Sequence, residues 1–275
     1  MSAPPIPRQQ RRKLRRELVE RGRRALDGGL PQPTSNDDAL GIALALYDGL
    51  ADTTVETRAG RLAEATQTML DRTIARQTAG LAIDCRKGCA HCCRQRVTCT
   101  APEIFRVAHW MRANAQRHGV PAHATLAADA AFATVDAAPG ANPSRRPCVM
   151  LLDEACSIYA GRPIPCRSLL SMSASACRMA MADPATAEPV PLVTGAMDIA
   201  EVVRTLMLSA VAAHGLGDAG YDLAAGLGVA LAAPGAEARW LAGEDVFAGL
   251  RRSERSSVAR QVQARLAGMI RSLQA

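Results

Sequence analysis

Apolar residues recur at helical spacing along most of the chain, and breaks in that spacing mark where elements end. Leu14, Leu18 and Leu26 stand among arginines and predict a helix over 8–27, stopped by Gly28-Gly29 and Pro31-Gln32-Pro33. Ser35-Asn36-Asp37-Asp38 is a helix-start signal, followed by Leu40, Leu44, Tyr47 and Leu50 at helical intervals. Val55, Leu62, Met69 and Leu70 predict a longer helix over 53–80. Thr100-Ala101-Pro102-Glu103 opens another, with Ile104, Val107, Ala108 and Met111 as its apolar stripe. A weaker, alanine-rich helix is expected over 121–137, then a loop over 139–147. Residues 148–152 and 156–159 read as two short strands around Asp153-Glu154-Ala155, a hairpin. Pro163 and Pro165 predict extended or turn-like backbone over 162–167, and 180–196 reads as loop. The tail predicts three or four helices, around 202–211, 223–231, 238–250 and 255–273.

The expected fold is therefore mainly α: a helical bundle-like arrangement with an irregular Cys-rich metal-binding core and a small β-hairpin. Composition agrees, because 48% of residues are apolar but only 3% are aromatic, which suits close helix packing better than a β-sandwich. Three regions are expected: a basic helix and linker over 1–34, helices plus the cysteine cluster over 35–180, and a helical region over 181–275. There is no run of eighteen apolar residues, so no membrane-spanning helix and no membrane partner are expected. No apolar stretch follows the first residues, so a secretory leader is not expected, and a reducing cytoplasm is the default compartment.

The net charge of +7 is unevenly placed. Residues 1–27 hold nine Arg or Lys against three acids, while the remaining chain is nearly balanced at 24 basic and 23 acidic residues. The bland reading is a solvated basic helix; the sharper one is contact with nucleic acid or an acidic partner. No aromatic platform or recognisable nucleic-acid module accompanies it, so nucleic acid bound through residues 1–27 is the weaker reading.

The chemistry lies in the cysteines. Cys85, Cys89, Cys92 and Cys93 fall within nine residues, and Cys148, Cys156, Cys166 and Cys177 follow. A chain of this length does not need disulfide staples, so the thiols point to zinc or iron, a four-iron cluster included. Cys-x3-Cys-x2-Cys in a glycine-containing loop can wrap one face of a metal or cluster. Adjacent Cys92 and Cys93 cannot easily address one tetrahedral ion; either they serve two sites or one is a buried thiol that binds nothing. Eight cysteines suffice for two four-thiolate sites, or for one site plus structural thiols. Arg86, Lys87, Arg94, Arg96, Arg162 and Arg167 neighbour these cysteines in sequence and could offset thiolate charge, Arg162 and Arg167 being the stronger candidates. The spacing Cys85-x3-Cys89-x2-Cys92 also matches the cluster motif of radical S-adenosylmethionine enzymes, but the chain lacks their β/α alternation.

Taken together, Cys85-x3-Cys89-x2-Cys92-Cys93, Val97-x-Cys99-Thr100-x-x-Glu103-Ile104, Pro147-Cys148, Cys156-Ser157-Ile158-Tyr159 and Arg162-Pro163-x-x-Cys166-Arg167 resemble the YkgJ-type cysteine-cluster proteins over about 81–180. That resemblance implies a bacterial zinc- or iron-chelating protein related to flagellin lysine N-methylases. The function expected first is metal binding through Cys85, Cys89, Cys92, Cys93, Cys148, Cys156, Cys166 and Cys177; the alternative is an iron–sulfur-dependent protein N-methylase with a protein substrate. Cys99 ranks last as a ligand. His91 lies between cysteines and reads as a surface or supporting residue, and His109, His118, His123 and His214 read as structural or exposed. Glu103 reads as a helix-start residue and Tyr159 as packing beside the cluster. No catalytic constellation is evident.

Overall fold

The computed structural model describes residues 7–118, 147–183, 188–233, 235–250, 253 and 255–274. The expected helix over 121–137 and almost all of the loop over 139–147 lie outside the described residues. Among these residues the architecture is mainly α, with two small antiparallel strand pairs.

Three long helices open the chain: α1 (Arg8–Gly28), α2 (Asn36–Ala51) and α3 (Arg58–Gln77). Ser35 caps α2: its hydroxyl accepts the Asp38 N–H while the Asp38 carboxylate accepts the Ser35 N–H, satisfying two end groups reciprocally. α3 begins later than its apolar pattern suggested, because turns formed through Asp52, whose carboxylate accepts from the Thr54 N–H and hydroxyl, occupy the preceding residues. α1 and α2 touch backbone to backbone. A Cβ at Gly22 would lie 2.0 Å from the Gly41 carbonyl oxygen, and one at Gly41 would lie 2.4 Å from that of Leu18. Much of the basic charge of α1 is spent locally: Arg15 pairs with Asp48 and Arg21 with Asp38 of α2, and Arg24 with Glu20.

α4 (Ala101–His118) starts on buried Glu103, and α7 (Thr194–Ala213) runs through the middle of the bundle. Val203, Met207, Leu208, Ala210 and Val211 of α7 are fully buried, and α7 packs against α2, α3 and α10 (Ser257–Gln274). One continuous apolar core joins Leu18 of α1, Leu44 of α2, Leu70 of α3, Ile104 of α4, Met207 of α7 and Ile270 of α10. No described helix is long and apolar enough to cross a membrane.

Short elements carry the rest. β1 (Thr98–Thr100) pairs antiparallel with β4 (Gly220–Asp222), with Cys99 opposite Tyr221. The hairpin is present but smaller than expected. β2 (Leu151–Leu152) and β3 (Ala155–Cys156) flank only Asp153 and Glu154, both at positive φ, as a tight two-residue turn requires. The prolines at 163 and 165 do not prevent a helix. Pro163 caps α5 (Ile164–Ser168) and Pro165 sits in its first turn, where no N–H is needed. The expected loop over 180–196 contains the end of α6 (Ala174–Ala182) and the start of α7. α8 (Leu223–Ala232) falls where anticipated. α9 (Ala236–Leu241) is much shorter than the 238–250 pattern, since Gly243 at φ 92° turns the chain.

Candidate metal centre

The first cysteine stretch is a chain of tight turns. Gly88 at φ 94° reverses the backbone, the Cys89 N–H donates to the Arg86 carbonyl at 3.0 Å, and a 3-10 turn spans His91–Arg94. Hydrogen bonds join this stretch to the second one at two points. The Cys148 N–H donates to the Cys93 carbonyl at 2.7 Å, and the Asp84 N–H to the Ser171 carbonyl at 3.1 Å. At that second point the Ser171 N–H also donates to Cys85 Sγ at 3.1 Å, and the Ala174 N–H to the Asp84 carboxylate at 2.9 Å. Cys156 rides on β3, Cys166 on α5 and Cys177 on α6, the last packed against the 3-10 turn.

Glu103 fastens α5 to the bundle. One carboxylate oxygen accepts the Ile164 N–H at 2.9 Å, and the other accepts the Thr100 N–H and hydroxyl at 3.0 and 2.8 Å. It is therefore the helix-start residue anticipated, and it also sets the position of the Cys166 segment.

Seven cysteines line one cavity of about 380 Å³: Cys85, Cys89, Cys92, Cys93, Cys148, Cys156 and Cys166. Both stretches of polypeptide contribute to it. Cys177 is absent from the lining but lies close enough to Cys85 for the two thiols to influence each other. Cys99 does not line this cavity and is fully buried in the apolar core. Among the described residues, no three His, Cys, Asp or Glu side chains are gathered closely enough to grip an ion as they stand. The thiols ring a space larger than one ion.

Residues 84–183 match the family CxxCxxCC, whose description is "Putative zinc- or iron-chelating domain". The chain carries a cysteine-cluster domain. Comparison with curated proteins and with solved structures found no match.

The electrostatics of the cysteine-cluster domain suit a soft cation. Burial pushes the Cys85 thiol up, opposed by the Ser171 N–H and reinforced by Cys89, Cys92 and Cys177. Burial pushes Cys166 far up, with Cys148, Cys156 and Cys92 adding to it, and raises Cys156 against the pull of Arg162. The adjacent pair divides a proton: Cys93 donates to Cys92, which brings Cys92 down to about 7 and drives Cys93 strongly up. Thiolates crowded in this way gain most from a cation placed among them.

Three of the sequence-nominated cations line the cavity: Arg86, Arg96 and Arg162. Arg162 stacks over Tyr159 at 4.0 Å from the ring centroid, and its Nε is buried with no hydrogen-bond partner among the described residues. Arg96 pairs with Asp222 at 2.8 Å. Arg167 does not line the cavity. It is buried beneath it, donating to the Arg162 and Ala160 carbonyls and pairing with Asp71, so its role is to brace the loop that carries Arg162. Lys87, Arg94 and His91 are likewise outside the lining. Arg204 of α7, distant from every cysteine in sequence, also lines the cavity, 38 residues beyond Cys166. Its Nε too is buried without a partner among the described residues. Arg204 lies beside no cysteine in the chain, and its signal in the sequence is a lone charge within 202–211.

A second cavity of about 420 Å³ adjoins the first, and Thr98 and Arg204 border both. His109 pairs with Glu237 at 2.6 Å and His214 stacks on Tyr47, while His123 and the side chain of His118 lie outside what the structure describes.

Proposed function

We propose that the protein holds zinc or iron through the cysteine-cluster domain, with Cys85, Cys89, Cys92, Cys93, Cys148, Cys156 and Cys166 as ligands and Cys177 at the edge of the set. The observation that carries this reading is the single cavity lined by seven thiols from both stretches. The donor set fits: buried sulfur favours soft or borderline cations, and backbone N–H donation to Cys85 Sγ is the support a thiolate ligand needs. A bound ion supplies charge neutralisation and cross-links loops whose own packing is thin. Arg162 and Arg204 offset the remaining negative charge.

Protein purified without oxygen is brown if the centre is iron–sulfur and colourless if it is zinc, and elemental analysis counts the metal. Cys89→Ser lowers metal content and makes 84–93 protease-sensitive. A metal-free wild type, or unchanged metal in the variant, overturns the reading.

A second reading, an iron–sulfur-dependent protein N-methylase, is favoured by one observation: the cavity that shares Thr98 and Arg204 with the thiol-lined one is large enough for a small organic donor. Saturable binding of a methyl donor, weakened by Arg204→Ala with metal content retained, tests it; absence of binding to the metal-loaded protein removes it.

A further inference from the structure

We propose that the second cavity is a binding site for a small molecule bearing a carboxylate or phosphate group, with Arg204 as the residue that takes the acidic group. This goes beyond the metal-binding reading and does not rest on it, because none of the proposed ligand cysteines takes part. The cavity lies where β1, β4, α7 and the start of α10 meet, and Thr98, Gly220, Arg204 and Ser256 are among its walls. Its volume of about 420 Å³ equals the liquid share of roughly fourteen waters, which is room for an organic molecule and not merely for one ion.

Charge in this cavity is sorted by depth. Two acids and two arginines line it: Glu201, Asp218, Arg204 and Arg255. The acids face solvent, the Glu201 side chain being 48% exposed and Asp218 exposed as well. Both are already engaged, Glu201 by Arg255 at 2.6 Å and Asp218 by the amide of Gln263. The arginines are the more buried pair. The Arg255 side chain is 11% exposed, and the Nε atoms of both are out of contact with solvent. Arg255 is committed to Glu201, the Thr205 hydroxyl and Gln263. Arg204 has no such bonds among the described residues, so it is the cation of this wall left for a ligand. A guanidinium withdrawn from water needs its N–H donors met, and its planar fork matches the oxygens of a carboxylate or phosphate. Exposed acids are screened by solvent, whereas a buried cation acts at nearly full strength, so an oxyanion gains at the inner wall more than it loses at the mouth. The opposite wall agrees in sign. The Ser256 hydroxyl accepts the Ala259 N–H and opens α10, an 18-residue helix with no acid in its first turn, so a positive helix end stands beside the cavity. Because Arg204 also borders the thiol-lined cavity, an acid held by it lies next to the cysteines.

The test is calorimetric titration of the full chain with malonate and, separately, with inorganic phosphate, at ionic strength held constant with chloride. Saturable binding of at least one is expected, and the one that saturates tells a carboxylate ligand from a phosphate ligand. Arg204→Gln should weaken it about tenfold or more, and Arg204→Lys should restore part of the loss. Ser253→Trp, at an exposed position on the cavity wall, should fill the space and abolish binding; it decides the matter if the Arg204 variants fail to fold by circular dichroism. Absence of saturable binding of both anions overturns the proposal, and so does binding that Ser253→Trp leaves intact, which would put the anion elsewhere on the molecule. Neither result alters the metal count, so the metal-binding reading is judged by its own assay. A methyl donor that binds where neither anion does would support the methylase reading and overturn this one.

Discussion

In the bundle, α7 by itself buries Val203, Met207, Leu208, Ala210 and Val211 completely, and α1, α2, α3 and α7 run 16 to 21 residues. Around the cavity the hairpin strands are two residues long, the helix carrying Cys166 has five, and the thiols face an open space. Regular helices satisfy their own backbone and need only an apolar face to dock. Short irregular turns leave polar backbone to be satisfied one group at a time, so the cluster relies on particular bonds: Cys148 N–H to Cys93 carbonyl, Ser171 N–H to Cys85 Sγ, Ile164 N–H to Glu103. Specific bonds position the cysteines, and the bundle acts as their scaffold.

Metal removal should break this comparison most visibly. At a free metal concentration a thousandfold above Kd, binding stabilises the folded cluster by about 4 kcal/mol. Chelation should open 84–93 and 147–177 to protease while far-UV circular dichroism keeps the bundle's helical signal. Simultaneous loss of both would mean that the two regions unfold as one.

A lesion confined to the bundle should behave in the opposite way. Gly41→Val drives a side chain into the Leu18 carbonyl across the α1–α2 contact and should cost about 3 kcal/mol in chemical denaturation, with metal content unchanged. Glu103→Ala strikes the joint between the regions. Three donors lose their acceptor, so about 2 kcal/mol of stability and some metal affinity should go together; loss of stability alone would show that Cys166 is placed by other contacts.

The smallest effect is local. Ser35→Ala should cost about 1 kcal/mol and leave the cluster untouched. Hydrogen bonds from Ser35 hold the Asp38 carboxyl below its usual 3.8, against the opposing effect of burial. A depressed carboxyl contributes stability that is complete above the unfolded pKa and is lost as pH falls through the lower folded value. Acid titration of stability should therefore be shallower at the low-pH end in Ser35→Ala than in the wild type.

Much of this was legible in the chain. The Ser35 start signal, the stop at Gly28-Gly29 and the hairpin turn depend on a few adjacent residues, and each is found. Element lengths were read less well. The α3 pattern extended into turns held by Asp52, and the α9 pattern ran past Gly243. Pro165 reads as a breaker in the sequence but sits in the first turn of α5, because its effect depends on where in a helix it falls, which spacing does not reveal. The β1–β4 pair joins segments about 120 residues apart, each too short to announce itself.

The cysteine run, its spacing and its basic neighbours are properties of the sequence, because ligand type and local turns are decided within a few bonds. Cys99 ranks last as a ligand on the sequence alone, and the structure buries it in the core. That seven thiols share a cavity while Cys177 stays outside its lining, that Arg204 lines it and Arg167 pairs with Asp71 instead, was decided only by tertiary structure. The physical reason is that convergence depends on how α5, α6 and α7 dock, and docking is set by the summed burial of many apolar residues and a few fixed bonds such as those of Glu103, none of which lies beside a cysteine in the chain.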